Sequence, residues 1–108
     1  MIFSMKKTIF LGRSKNDLRE FPDAARRDAG IEIFQVQLGL DPSDWKPVPN
    51  IGAGVREIRV RAGGAYRIIY LATRPDAVYV LHCFQKKSQQ TEQRDIDLAR
   101  NRFKQIGE

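Results

Sequence analysis

The sequence predicts an α+β fold in which a small, mainly antiparallel sheet packs against helices, and three observations carry this expectation. Three short apolar runs, Val55 to Arg61, Ala65 to Thr73 and Ala77 to Phe84, are separated only by "AGG" and "RPD", the spacing of an antiparallel meander. Two amphipathic stretches precede the meander and one follows it. A further β-branched and aromatic run, "KKTIFL" at Lys6 to Leu11, stops at Gly12 as a first strand would.

After that strand, Ser14 is expected to N-cap a short helix through "SKNDLREF", with Leu18 and Phe21 on one face. Pro22 ends it and opens a second helix to Leu38, because proline at the first helical position gives up a donor that has no partner there. Ala25, Ala29, Ile33 and Val36 form the apolar stripe of that helix, and Gly39 stops it. Gly30 lowers helix propensity by about 1 kcal/mol, so a kink or close packing is expected there. "LDPSDWKPVPNIGAG", Leu40 to Gly54, has no period of strand or helix and is expected to be a long ordered loop or lid. Trp45 within it either covers a core edge or meets a ligand or partner.

In the first meander strand, alternation puts Glu57, Arg59 and Arg61 on one face and Arg56, Ile58 and Val60 on the other, so the first group is expected to point away from the core. The second strand is apolar on both faces apart from Arg67, which marks it as central. The last stretch, Thr91 to Ile106, should be a helix capped by Thr91. Its early acids and late cations follow the helix dipole, and Ile96, Ala99, Phe103 and Ile106 make its apolar face.

At 108 residues and 12.4 kDa the chain is sized for one domain spanning residues 1–108. Nineteen Lys and Arg against thirteen Asp and Glu give a formal charge of +6 and a pI near 9.8, which favours an acidic partner such as nucleic acid, an anionic membrane or an acidic protein. Cys83 and His82 stand alone as cysteine and histidine, so neither an internal disulfide nor a Cys/His zinc site can form, and a reducing cytoplasm is expected. The apolar part of "MIFSMKKTIFLG" is too short for a signal peptide or a membrane span.

Arg67 poses the main question, because an unpaired charge in a buried strand is prohibitively costly. It must reach a carboxylate, such as Glu57 in an internal ion pair, or water, or an anion supplied from outside. A phosphate clamp is the second reading, since Arg59, Arg61, Lys86 and Lys87 sit on flanking strand ends. Lys86 and Lys87 are equally readable as a solvated pair. His82, the one side chain that titrates near neutrality when unperturbed, is either a general acid or base or a strand histidine satisfied by a neighbour.

"GVREIRVRAGGAYRIIYL" followed by "DAVYVLHCFQKKSQQTEQRDIDLARNR", with "DWKP" and "LGRSKNDLREFP" upstream, resembles the RelE/HigB superfamily of bacterial toxins, in particular its phage-derived HigB-like branch. The likeness runs from Met5 through nearly the whole chain and makes residues 1–4 an upstream extension. It implies a compact α+β domain with one N-terminal strand and a three-stranded meander, two N-terminal helices and one C-terminal helix. It also implies a messenger-RNA endonuclease of a type II toxin–antitoxin system that acts on the ribosome, and an antitoxin of helix-turn-helix type. Arg67 matches the family's strand arginine facing the RNA phosphate, Arg59 a basic residue on the preceding strand, and Lys87 a cation after the last strand. Glu57 stands where some members have a second basic residue, and Gln93 falls near a tyrosine of others, which leaves the general base open.

The implied chemistry is in-line attack of a ribose 2′-hydroxyl on the adjacent phosphate, without metal or cofactor. Arg59, Arg67, Lys87 and His82 are the catalytic candidates, and Lys46, Arg56, Arg61 and Lys86 the further RNA-binding ones. Inhibition of DNA gyrase in the manner of the ParE branch, or noncatalytic binding of nucleic acid or antitoxin, are the alternatives.

Overall fold

The computed structural model describes residues 5–107, so the reading of residues 1–4 as an extension lies outside it. Its elements are β1 (Lys7–Phe10), α1 (Ser14–Arg19), α2 (Asp23–Gln37), β2 (Trp45–Pro47), β3 (Val55–Arg61), β4 (Ala65–Leu71), β5 (Ala77–Lys86) and α3 (Gln93–Ile106). The sheet runs β1-β5-β4-β3-β2, with β1 parallel to β5 and every other pair antiparallel. This is the α+β architecture the sequence predicts, with one strand more.

The apolar stripe of α2, with Phe21, packs on Ile58, Val60, Ile68, Tyr70, Val78 and Val80. On the opposite face, Ala99 of α3 packs with Val55, Ile69, Leu71 and Leu81, joined by Val48 and Ile51 from the segment before β3. β4 is central: Tyr66 to Leu71 are all buried. Burying Ile58, Ile68, Ile69 and Leu71, each at most 1% exposed, stabilises the fold by about 1.5–3 kcal/mol per side chain. Burial among these residues pushes the Cys83 thiol's pKa up, so it stays protonated.

Several local expectations are corrected. The segment from Leu40 to Gly54 is not all loop, because Trp45–Pro47 adds to the free edge of β3 as a fifth strand. Trp45 is half-buried and carries the Arg56 guanidinium 3.9 Å above its ring. Ser14 is not a cap: Arg13 precedes the helix, and Ser14 is fully buried with its hydroxyl donating to the Val80 carbonyl at 3.2 Å. α3 starts after Glu92, with no side-chain cap from Thr91. Glu57 is 2% exposed rather than turned to solvent, since its face of β3 is partly covered by α3 and Val48.

Gly30 is not a close-packing glycine. It is exposed within an unbroken α2, with open space where a Cβ would stand. Gly30→Ala is therefore expected to raise stability by about 0.4–1 kcal/mol, visible as a higher midpoint in urea with an unchanged slope.

A β-bulge in β5 sets the facing of that strand's C-terminal half. Ile69 pairs with His82 while Tyr70 pairs with Val80, which leaves Leu81 as the extra residue. The insertion reverses the alternation, so His82, Phe84 and Lys86 turn to the α3 face and Cys83 joins the α2 side. Arg102 of α3 donates to the Leu81 carbonyl at 2.9 Å, giving that group a partner. Its guanidinium crosses Gly12, where φ is +55° and a Cβ would stand 2.5 Å from Arg102 Nε, so a side chain there would be strained and would push Arg102 from its place.

Candidate active site

Cross-strand register gathers the cations. Lys46 lies opposite Glu57, Arg59 opposite Arg67, Arg67 opposite Phe84, and Ala65 opposite Lys86. Directly opposed residues share a face, so Lys46, Glu57, Arg59, Arg67, Phe84 and Lys86 stand together on the side that carries α3.

Glu57 is the centre of the cluster. Its Oε1 lies 3.3 Å from Arg67 Nε, 3.7 Å from Arg59 Nε and 4.0 Å from Lys46 Nζ. Both readings of Arg67 meet here: it is paired with Glu57, as a buried guanidinium requires, and it belongs to a cationic cluster. Arg67 is 7% exposed, and its Nη1 donates to the Tyr66 carbonyl at 3.0 Å. The Arg67 and Arg59 Nε groups face the carboxylate without well-directed hydrogen bonds, so the contact is mainly coulombic. Asp44 adds a carboxylate 3.9 Å from Arg59 Nη1. Lys46, Arg59, Arg67 and Lys86 still outnumber Glu57 and Asp44, so the site is net positive. Desolvation, then the neighbouring cations Arg67, Lys46 and Arg59, hold the Lys86 pKa below that of a free lysine, with Glu57 opposing.

Beside the cluster opens a cavity of about 340 Å³, whose lining includes Lys46, Glu57 and Lys86. Ile51, Ile69, Phe84 and Ile96 supply apolar walls, and Asn50, Gln89, Gln90, Thr91 and Asp95 supply polar ones. The sequence offered no signal for Asn50, Gln89 or Gln90, which lie on loops without periodicity. Glu57 was legible as a partner for Arg67, but its place at the centre of three cations was not.

The remaining candidates stand apart. Arg56 is on the α2 side of the sheet, paired with Asp41 at 3.0 Å. Arg61 is exposed and lines a shallow depression with Asp28, Glu32 and Arg59. Lys87 borders a second cavity with Asp17, Glu20, Glu92 and Arg94, and does not line the first, which Lys86 borders. His82 is 5% exposed, its Nε2 lies 2.7 Å from Asp95 Oδ1, and its ring stacks on Phe84 with centroids 4.8 Å apart. Its Nδ1 is buried without a hydrogen-bond partner. This is a histidine satisfied on one side by α3, so together Arg102–Leu81 and His82–Asp95 tie α3 to the bulge residue and to the residue that follows it.

A five-stranded mixed sheet with two helices on one face, a third on the other and a basic cluster on its central strands is consistent with a RelE-like fold. The chain belongs to the Gp49-like family: the profile described as "Phage derived protein Gp49-like (DUF891)" matches residues 16–104, and the family is one of RelE/HigB-like toxin-type proteins. Such proteins are associated with toxin–antitoxin toxins, which implies an antitoxin partner. A search of curated proteins found no match. Among the described residues, no helix is long and apolar enough to cross a membrane, and no three His, Cys, Asp or Glu side chains come together as a metal-binding group.

Proposed function

We propose that the protein is the toxin of a type II toxin–antitoxin pair, of the HigB-like branch, and that it cleaves messenger RNA on the ribosome at the cluster around Glu57. The observation that carries this reading is one buried carboxylate with Lys46, Arg59 and Arg67 all within 4.0 Å of its Oε1, at the mouth of a cavity. A phosphate entering there meets Lys46, Arg59 and Lys86 first, with Arg67 behind them as a fixed positive charge.

The chain's own groups then divide the proton transfers. A bound phosphate draws the cations toward itself and brings negative charge beside Glu57. With its cations so engaged, the Glu57 carboxylate accepts the 2′-hydroxyl proton as that oxygen attacks phosphorus. The bond from phosphorus to the 5′-oxygen breaks, leaving a 2′,3′-cyclic phosphate and a 5′-hydroxyl. Lys86, with its proton held less tightly than in a free lysine, protonates the departing oxygen. In this proposal His82 is a positioning residue that holds Phe84 and, through Asp95, the start of α3. Lys87 extends the basic track beyond Phe84.

Few groups here move protons, so holding the codon in line falls to the ribosome. The test is a reconstituted translation reaction with messenger 5′ ends mapped, run beside the same mixture lacking ribosomes. Cuts bearing 5′-hydroxyl ends are expected only when ribosomes are present. Equal cutting of naked RNA would sink the ribosome requirement, and intact messenger together with accumulating gyrase-cleaved DNA would replace the reading by gyrase inhibition.

A further inference from the structure

The cavity beside the cluster has a construction that phosphate binding alone does not require. We propose that it is a nucleobase pocket, in which the base of the nucleotide whose phosphate meets Lys46 and Lys86 stacks on the ring of Phe84. This rests on the reading of the cluster as a phosphate site.

Three features point to a base. The volume of about 340 Å³ lies at the lower end of small-molecule sites, roughly 300–1,000 Å³, which suits a single nucleoside unit rather than a longer segment. The lining divides as a heterocycle would need. Phe84, Ile69 and Ile96 offer flat apolar surface, and the side-chain amides of Asn50, Gln89 and Gln90 offer paired donors and acceptors for a base edge. Phosphate and base would also be held by one continuous wall, because Lys46, Glu57 and Lys86 border the same cavity as Phe84.

Phe84 is placed as a stacking platform. The bulge turns it to the α3 side, directly opposite Arg67, and it is only half-buried there. One side of its ring is backed by His82 at 4.8 Å and an interplanar angle of 20°, which fixes the ring's plane. That backing also gives the His82–Asp95 pair a purpose: it presents Phe84 to the cavity already oriented, so less freedom is lost when a base stacks.

The experiment is an NMR titration of isotope-labelled full-length protein with inorganic phosphate, ribose 5-phosphate and the four nucleoside 3′-monophosphates, repeated on Phe84→Leu. Nucleotides are expected to bind the wild type about 5- to 150-fold more tightly than ribose 5-phosphate, the range base–aromatic stacking supplies. Phe84→Leu should erase most of that difference while leaving inorganic phosphate affinity unchanged. Nucleotides and ribose 5-phosphate binding alike would overturn the base pocket and leave the phosphate site standing. Absence of any shift at Lys46, Arg59 and Lys86 with every probe would overturn both. The comparison among probes on the unaltered chain decides the matter even if Phe84→Leu folds poorly.

Discussion

Glu57→Gln protein is expected to hold an RNA phosphate more tightly than the wild type and yet to cut it about 100- to 10,000-fold more slowly. The two effects have opposite signs because they come from different properties of one carboxylate. As a charge, Glu57 competes with the incoming phosphate for Lys46, Arg59 and Arg67, each within 4.0 Å of its Oε1. Removing a unit charge about 7 Å from the phosphate, at an effective dielectric between roughly 20 and 80, is worth about 0.6–2.4 kcal/mol, or a 3- to 60-fold gain in affinity. As a base, the carboxylate can take the 2′-proton and the amide cannot. Filter binding on a substrate with a 2′-deoxy residue at the cut site measures the first effect, and single-turnover cleavage the second. A variant that bound more tightly and still cut at the wild-type rate would make Glu57 a structural counterion and return the base to His82. Stability should fall by about 2–3 kcal/mol, since Arg67 is left buried against a neutral partner.

Arg67→Ala is expected to reduce cleavage by about 100- to 1,000-fold, the usual consequence of removing one fixed positive donor from a developing phosphate charge. The variant alone is ambiguous, because breaking a buried ion pair from one side costs about 3–5 kcal/mol of stability. Here Lys46 and Arg59 remain beside Glu57, which places the loss at the lower end. The companion is Arg67→Met with Glu57→Leu. Replacing both members of a buried pair by apolar side chains of similar volume is commonly neutral, so stability should return to within about 1 kcal/mol of the wild type. Urea unfolding measures that recovery. Cleavage should not recover, since both the charge and the base are gone. Cleavage at the wild-type rate by the stable double variant would show that Arg67 serves the fold alone.

The order of elements was legible because each rests on local chemistry. The unbroken apolar run of β4, the stripe of α2 and the charge polarity of α3 are properties of consecutive residues, and all reappear in the structure. The resemblance to RelE/HigB toxins rested on the same ordered segments and is matched by the Gp49-like family at residues 16–104. β2 was not legible: three residues ending in a proline have no period, and Trp45–Pro47 becomes a strand only because β3 offers an open edge.

Consecutive residues thus suffice for the sheet-and-helix order, the central place of β4 and the presence of a guanidinium that needs an anion. Which anion that is, and which side chains share its face, depends on long-range packing. Alternation through β5 without interruption would put His82 with Val78 and Val80 on the α2 side, away from α3. The extra residue at Leu81 reverses that, and its carbonyl is satisfied by Arg102 from an element 21 residues further along the chain. A bulge has no signature in the apolar pattern of β5, because Leu81 is buried on either face; the contact with α3 that stabilises it is long-range. Phe84, Lys86 and Arg67 therefore meet around Glu57 through packing that no local run of residues encodes.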